Sequence, residues 1–139
     1  MDGLSGRENV FVLAATNRID TLDPAILRPG RFDKILKVEL PNEKDRRSIF
    51  EQHLLKVPLL KKFRNQCHAN AVKFDSYLNI LASNESSQGF SGADIAGIVQ
   101  EACLLYAKYM IDSDDECDID IEILFKKLVS LCKSKLECR

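Results

Sequence analysis

The chain has 139 residues, enough for about one domain at roughly 150 residues each. Apolar residues make up 45% and charged residues 29%, and 20 Lys+Arg stand against 21 Asp+Glu, which speaks against a general nucleic-acid coat or an acidic-tail protein. No window holds about 18 consecutive apolar residues, and the first ten lack the basic-then-apolar pattern of a secretory signal.

Residues 10–15 are a short continuous apolar run, which fits a strand covered on both faces. Thr16, Asn17 and Arg18 end it in polar residues. Asp23-Pro24 reads as a helix start, with Asp23 as N-cap. That helix must be very short, because Pro29 disfavours helical geometry at Arg28 and Gly30 supplies a turn. Leu36, Val38 and Leu40 then alternate with Lys37 and Glu39, the pattern of a strand with one wet face.

The period changes after Pro41. Asn42 can cap a helix with Asp45 in its first turn, and Ile49, Phe50, His53, Leu54 and Val57 recur at helical spacing until Pro58. Residues 58–73 are mixed and basic and read as a loop, 74–83 as a short helix, and 83–89 as a second loop. Ser91-Gly92-Ala93-Asp94 has the form of a capping box, followed by Ile95, Ile98, Val99, Ala102, Tyr106 and Tyr109 on one stripe. An acidic stretch precedes a last helix carrying Ile121, Leu124, Phe125, Leu128 and Leu131.

The expected architecture is therefore a two-strand α/β remnant over 1–41 and a four-helix all-α unit over 42–139. Two strands cannot bury both faces of a run such as 10–15, so the missing neighbours must come from further chain or from a partner. We expect a piece of a larger protein.

The chemistry concentrates in residues 10–40. Asn17 falls at the carboxyl end of the apolar run, the edge where α/β folds place ligands. Arg28 and Arg31 lie three residues apart in a turn stiffened by Pro29 and Gly30. Two guanidinium groups on a stiff projection suit a developing phosphoryl charge, although exposed arginines of this kind commonly do no more than pair with nearby acids.

Ala15-Thr16-Asn17-Arg18, Leu22-Asp23-Pro24 and Leu27-Arg28-Pro29-Gly30-Arg31-Phe32-Asp33 follow one another in the order and spacing of a known signature. The chain resembles the AAA ATPases in their second region of homology, and Met1-Asp2-Gly3-Leu4 is similar to the segment after that family's Walker B helix. The resemblance continues through Phe90-Ser91-Gly92-Ala93-Asp94-Ile95 to the last helix of the family's lid domain. It implies that the α/β part belongs to a P-loop AAA module. Asn17 would be sensor 1, orienting the water that attacks the γ-phosphate. Arg28 and Arg31 would be arginine fingers reaching the ATP of a neighbouring subunit in a ring, expected to be a homohexamer. Residues 42–139 would be the lid, with Ile49 and His53 flanking the adenosine and Gly92 and Ala93 lying against the nucleotide. Small residues suit that place, because backbone at a helix N-terminus can approach a ligand closely.

The chain departs from the family where phosphate is held. It has no GxxxxGK[ST] and no apolar strand ending in Asp-Glu, so ATP or ADP with Mg²⁺ would need upstream residues, and this chain alone is expected to be inactive. The five cysteines (Cys67, Cys103, Cys117, Cys132 and Cys138) are odd in number and lack CxxC spacing, so neither a zinc site nor a disulfide framework is expected, and the thiols read as those of an intracellular protein. Asp112, Asp114 and Glu116 mimic an EF-hand start, but Cys117 and Ile123 stand where Gly and Glu are needed. Lys61, Lys62 and Arg64 around Phe63 form a small basic cluster that could touch RNA, or simply a solvated loop.

Within the family, the string from Ala25 to Arg46 is similar to the second module of the nuclear valosin-containing-protein-like ATPases. That resemblance implies remodelling of protein or ribonucleoprotein clients in ribosome biogenesis, in the nucleus or nucleolus, with no membrane contact from this segment. The alternatives are a membrane-anchored AAA protease, a proteasomal regulatory ATPase or, outside the family, a non-enzymatic helical interaction module.

Overall fold

The structure, a computed structural model, describes residues 11–112 and 121–138. The chain divides into two units, one ending at Val38 and one beginning at Glu39.

The first unit corrects the expected fold. Among its described residues there is no strand, only 3₁₀ turns at Ile19–Thr21 and Pro24–Leu27 and extended or bent chain. The apolar residues meant for a sheet stand in solvent, with Phe11 90% and Val38 94% exposed. The physical reason is the one already in the pattern. A strand needs a neighbour for its N–H and C=O groups and a cover for its apolar face, and two short segments supply neither. Val10, the start of the run, lies outside the described residues.

The described residues of the second unit form helices and their connections: α1 (Glu43–Leu55), α2 (Pro58–Gln66), α3 (His68–Ala82), α4 (Asn84–Ser87), α5 (Gly92–Asp112) and α6 (Ile121–Glu137). Among these residues six helices replace the four expected. Pro58 does not merely end α1; it occupies the first turn of α2, where its missing N–H costs nothing. Leu60 is fully buried and Phe63 packs against the core, so the stretch read as a loop carries its own apolar face. Cys67, extended at φ −158°, separates α2 from α3. The first turns of α3 escape apolar periodicity because they face water, with Val72 half exposed.

Asn42 and Asp45 form a capping box at the start of α1: the Asn42 side chain accepts from the Asp45 N–H at 3.0 Å, and the Asp45 carboxylate from the Asn42 N–H at 3.3 Å. The core gathers Phe50 and Leu54 of α1, Phe74, Leu78 and Leu81 of α3, Ile95, Ile98 and Ala102 of α5, and Leu124, Phe125 and Leu128 of α6. Phe125 meets Phe74 edge-on at 6.1 Å and stacks on Tyr77 at 4.1 Å. Cys132 takes the last core position of α6, one residue past the expected Leu131, which is half-buried. Tyr109 leaves the expected stripe of α5 and lies under the Lys127 ammonium, 5.1 Å from its ring.

α5 lies against both α1 and α6, which brings the N-terminus of α5 beside the middle of α1. No described helix is long and apolar enough to cross a membrane.

Candidate functional site

The candidate residues fall into two groups, one in each unit. In the first unit, Asn17 is exposed in a bend. The preceding Thr16 hydroxyl accepts from the Arg18 N–H at 3.0 Å, a local turn that ends the apolar run. Asp23 caps the second 3₁₀ turn, accepting from the Ala25 N–H at 2.8 Å.

Arg28-Pro29-Gly30-Arg31 closes as a tight turn, the Arg31 N–H donating to the Arg28 carbonyl at 3.2 Å. Pro29 at the second position and Gly30 at φ +87° make it a type II arrangement, and a Cβ-bearing residue at position 30 would be strained. The Asp33 carboxylate accepts from the Gly30 N–H at 2.7 Å and braces the turn. Arg31 is partly committed, with Nη1 donating to the Ala25 carbonyl at 2.8 Å. Arg28 projects from the first corner and is exposed. The stiffness expected of the turn is thus present without any sheet beneath it.

In the second unit, Ile49 and His53 lie one turn apart on α1, both half-buried. Gly92 opens α5 so close to α1 that a Cβ there would meet the Ile49 Cδ1 at 3.9 Å, an ordinary van der Waals contact. Ala93 follows it and is exposed. The structure therefore places Ile49 beside Gly92, with His53 one turn along the same helix. Ser91 and Asp94 hold the turn. The Asp94 carboxylate accepts from the Ser91 hydroxyl at 2.7 Å and from the Ser91 N–H at 2.9 Å, and the Ser91 hydroxyl accepts from the Asp94 N–H at 3.2 Å. The Ser91 hydroxyl and amide hold the Asp94 carboxyl well below the usual carboxylate range, with the Lys135 ammonium 3.2 Å away adding to the effect.

The second group brings together a small residue and an aliphatic side chain, with an imidazole one turn along α1. Among the described residues, no three His, Cys, Asp or Glu side chains group to hold a metal ion. Asp114, Glu116 and Cys117 of the EF-hand-like stretch lie outside the described residues. The basic cluster is in part structural, since Arg64 pairs with Glu51 at 3.1 Å and lies over the Phe74 ring at 5.5 Å.

One residue that the sequence reading passed over belongs to this neighbourhood. Arg46 is 3% exposed and sits on the same face of α1 as Phe50 and Leu54. The signal was the spacing of four between Arg46, Phe50 and Leu54, which puts a guanidinium in the core stripe.

Residues 1–40 match the model of the ATPase family associated with various cellular activities, the AAA family. The chain belongs to the AAA ATPase superfamily. It is 41% identical over 120 residues, 86% of its length, to the ATP-dependent zinc metalloprotease FtsH 2 of Methylacidiphilum infernorum (isolate V4). It spans only 16% of the length of that relative. No solved structure matches it. The AAA match covers the segment that carries Asn17, Arg28 and Arg31, and the longer similarity exceeds the helical unit alone.

Proposed function

We propose that this AAA chain supplies the sensor, arginine-finger and lid parts of an ATP-hydrolysing machine of the FtsH type, in which nucleotide turnover drives the handling of protein substrates. The observation that carries this reading is the 41% identity over 120 residues to an ATP-dependent metalloprotease. The name of that relative favours the protease alternative over the nuclear, ribosome-biogenesis reading. The zinc chemistry in the relative's name would lie outside these residues, which contain no HExxH.

In this reading Asn17 orients the attacking water, and Arg28 and Arg31 reach the ATP of an adjoining subunit. Ile49, His53, Gly92 and Ala93 receive the adenosine. Bound ATP with Mg²⁺ supplies the phosphoryl group and the metal that neutralises its charge, both held by residues this chain lacks. The chain's own contribution is a donor at Asn17, two cationic side chains on a braced turn and the Ile49–Gly92 contact.

The test joins this chain to the Walker A and Walker B segment of the bacterial relative. The chimera should hydrolyse ATP, and the 139-residue chain alone should not. Arg28→Ala should then lower turnover by about 10³-fold or more while leaving nucleotide binding in place. Full turnover with both Arg28 and Arg31 replaced would sink the finger assignment. Gly92→Ala is a second probe. The added methyl meets Ile49 only at ordinary contact distance, so the fold should tolerate it. Affinity for a fluorescent ADP analogue should nevertheless fall, by roughly tenfold, if the base lies on that backbone. An interaction module without nucleotide chemistry would show neither effect.

A further inference from the structure

The buried guanidinium of Arg46 joins three stretches of chain. Nη1 donates to the Pro41 carbonyl at 3.2 Å, one residue before the cap of α1. Nε and Nη2 donate to the Ala82 carbonyl, at 3.2 and 2.8 Å, at the end of α3. Nη2 also reaches the Asn84 Oδ1 at 2.7 Å, and Nε the Ser87 Oγ at 3.1 Å, both in α4. None of these acceptors is a carboxylate. The charge is met by the carbonyl end of α3, where a helix carries partial negative charge, and by neutral oxygens.

α4 leads directly to the candidate site. The Phe90 N–H donates to the Ser87 carbonyl at 3.2 Å, Gly89 turns the chain at φ +76°, and Phe90 enters the core with no exposure. Ser91 then caps α5. The Ser87 hydroxyl donates in turn to the Leu81 carbonyl at 2.6 Å, so Ser87 is fastened on both sides.

We propose that Arg46 is a positioning residue, a latch that makes the chain entering α1 and the Ser91-Gly92-Ala93 turn shift together. A planar fork in a buried site does not release one arm cheaply, because the freed N–H is left without water. Movement of Pro41 therefore disturbs the bonds to α4, and the reverse. That this matters for nucleotide rests on the function proposed above; the coupling itself does not.

Asn84 is exposed, so Asn84→Ala removes the 2.7 Å arm without opening the core. Amide hydrogen exchange on the 139-residue chain should show residues 42–46 and 88–95 exchanging about tenfold faster, in step, while residues 124–132 keep their wild-type rates. Arg46→Lys should reproduce the pattern more strongly, since one ammonium cannot serve three stretches. Acceleration on one side only, or in neither stretch, overturns the latch. In the chimera, Asn84→Ala should weaken binding of the fluorescent ADP analogue by about five- to tenfold while residues 124–132 stay as protected as in the wild type. Unchanged affinity in a chimera whose wild type binds overturns the positioning role. A wild-type chimera that binds no analogue fails the proposed function instead, and the exchange result then decides the latch alone.

Discussion

Asp94 shows how one side chain can serve a cap and a helix pair together. It completes the capping box of α5 and meets Lys135 of α6. Its carboxyl titrates below its ordinary value in the folded chain, so the unfolded chain takes up the proton first as pH falls. The stabilisation is thus fully present above the unfolded pKa of about 3.9 and is lost as pH falls below it. Asp94→Asn should cost about 1–2 kcal/mol at pH 7, and the gap between wild type and variant should narrow in urea melts below about pH 4. A gap that stays constant with pH would contradict the assignment.

Cys132 carries the opposite sign. Burial pushes its thiol up to about 11, while Cys67 and Cys138 are exposed. At pH 8 a thiol reagent should modify Cys67 and Cys138 in the native chain and reach Cys132 only on unfolding. The same shift makes stability fall as pH rises from the free thiol value of about 8.5 toward the folded value. Both residues stood in legible places, a capping box and an apolar stripe. Arg46 does not stand out in the string, because a charged side chain hides its place in the apolar stripe. What makes a buried arginine acceptable is the set of oxygens around it, and the Ala82 and Ser87 acceptors lie more than 30 residues along the chain.

Among the elements, the aromatic contacts tie α3 to α6. Phe125→Ala removes a fully buried ring that packs on both Phe74 and Tyr77, and should cost roughly 3–5 kcal/mol, read as a lowered melting temperature. A loss under about 1 kcal/mol would mean the ring is not packed as described. α1, α5 and α6 were legible because each has a cap or a sustained apolar stripe. α2 and the start of α3 were not. In α2 the buried Leu60 and the half-buried Leu59 and Phe63 stand among Lys61, Lys62 and Arg64, which mask the stripe, and the first turns of α3 face water. Further along, Arg47 fixes α3 to α1 through polar partners, Asn79 at 2.9 Å and Asp75 at 3.2 Å.

For the whole molecule, burial separates the two units. The helical unit has its own core, whereas Phe11, Leu13, Leu36 and Val38 are exposed. Amides of residues 11–15 and 35–38 should exchange within seconds, and those of 50–54, 98–106 and 124–132 should be protected by orders of magnitude.

Local chemistry was readable from the residues: the Pro29-Gly30 turn between two arginines, the caps at Asn42 and Ser91, and the amphipathic stripes of the longer helices. These depend on neighbours within about four positions, which a linear string displays. The string also carried the AAA signature, because that signature is a local run. Three-dimensional packing decided the rest. It left the two would-be strands unpaired, turned a basic stretch into α2, set Gly92 against Ile49 and surrounded Arg46 with distant oxygens. Strand pairing and the satisfaction of a buried charge depend on groups remote in sequence, which local spacing does not name.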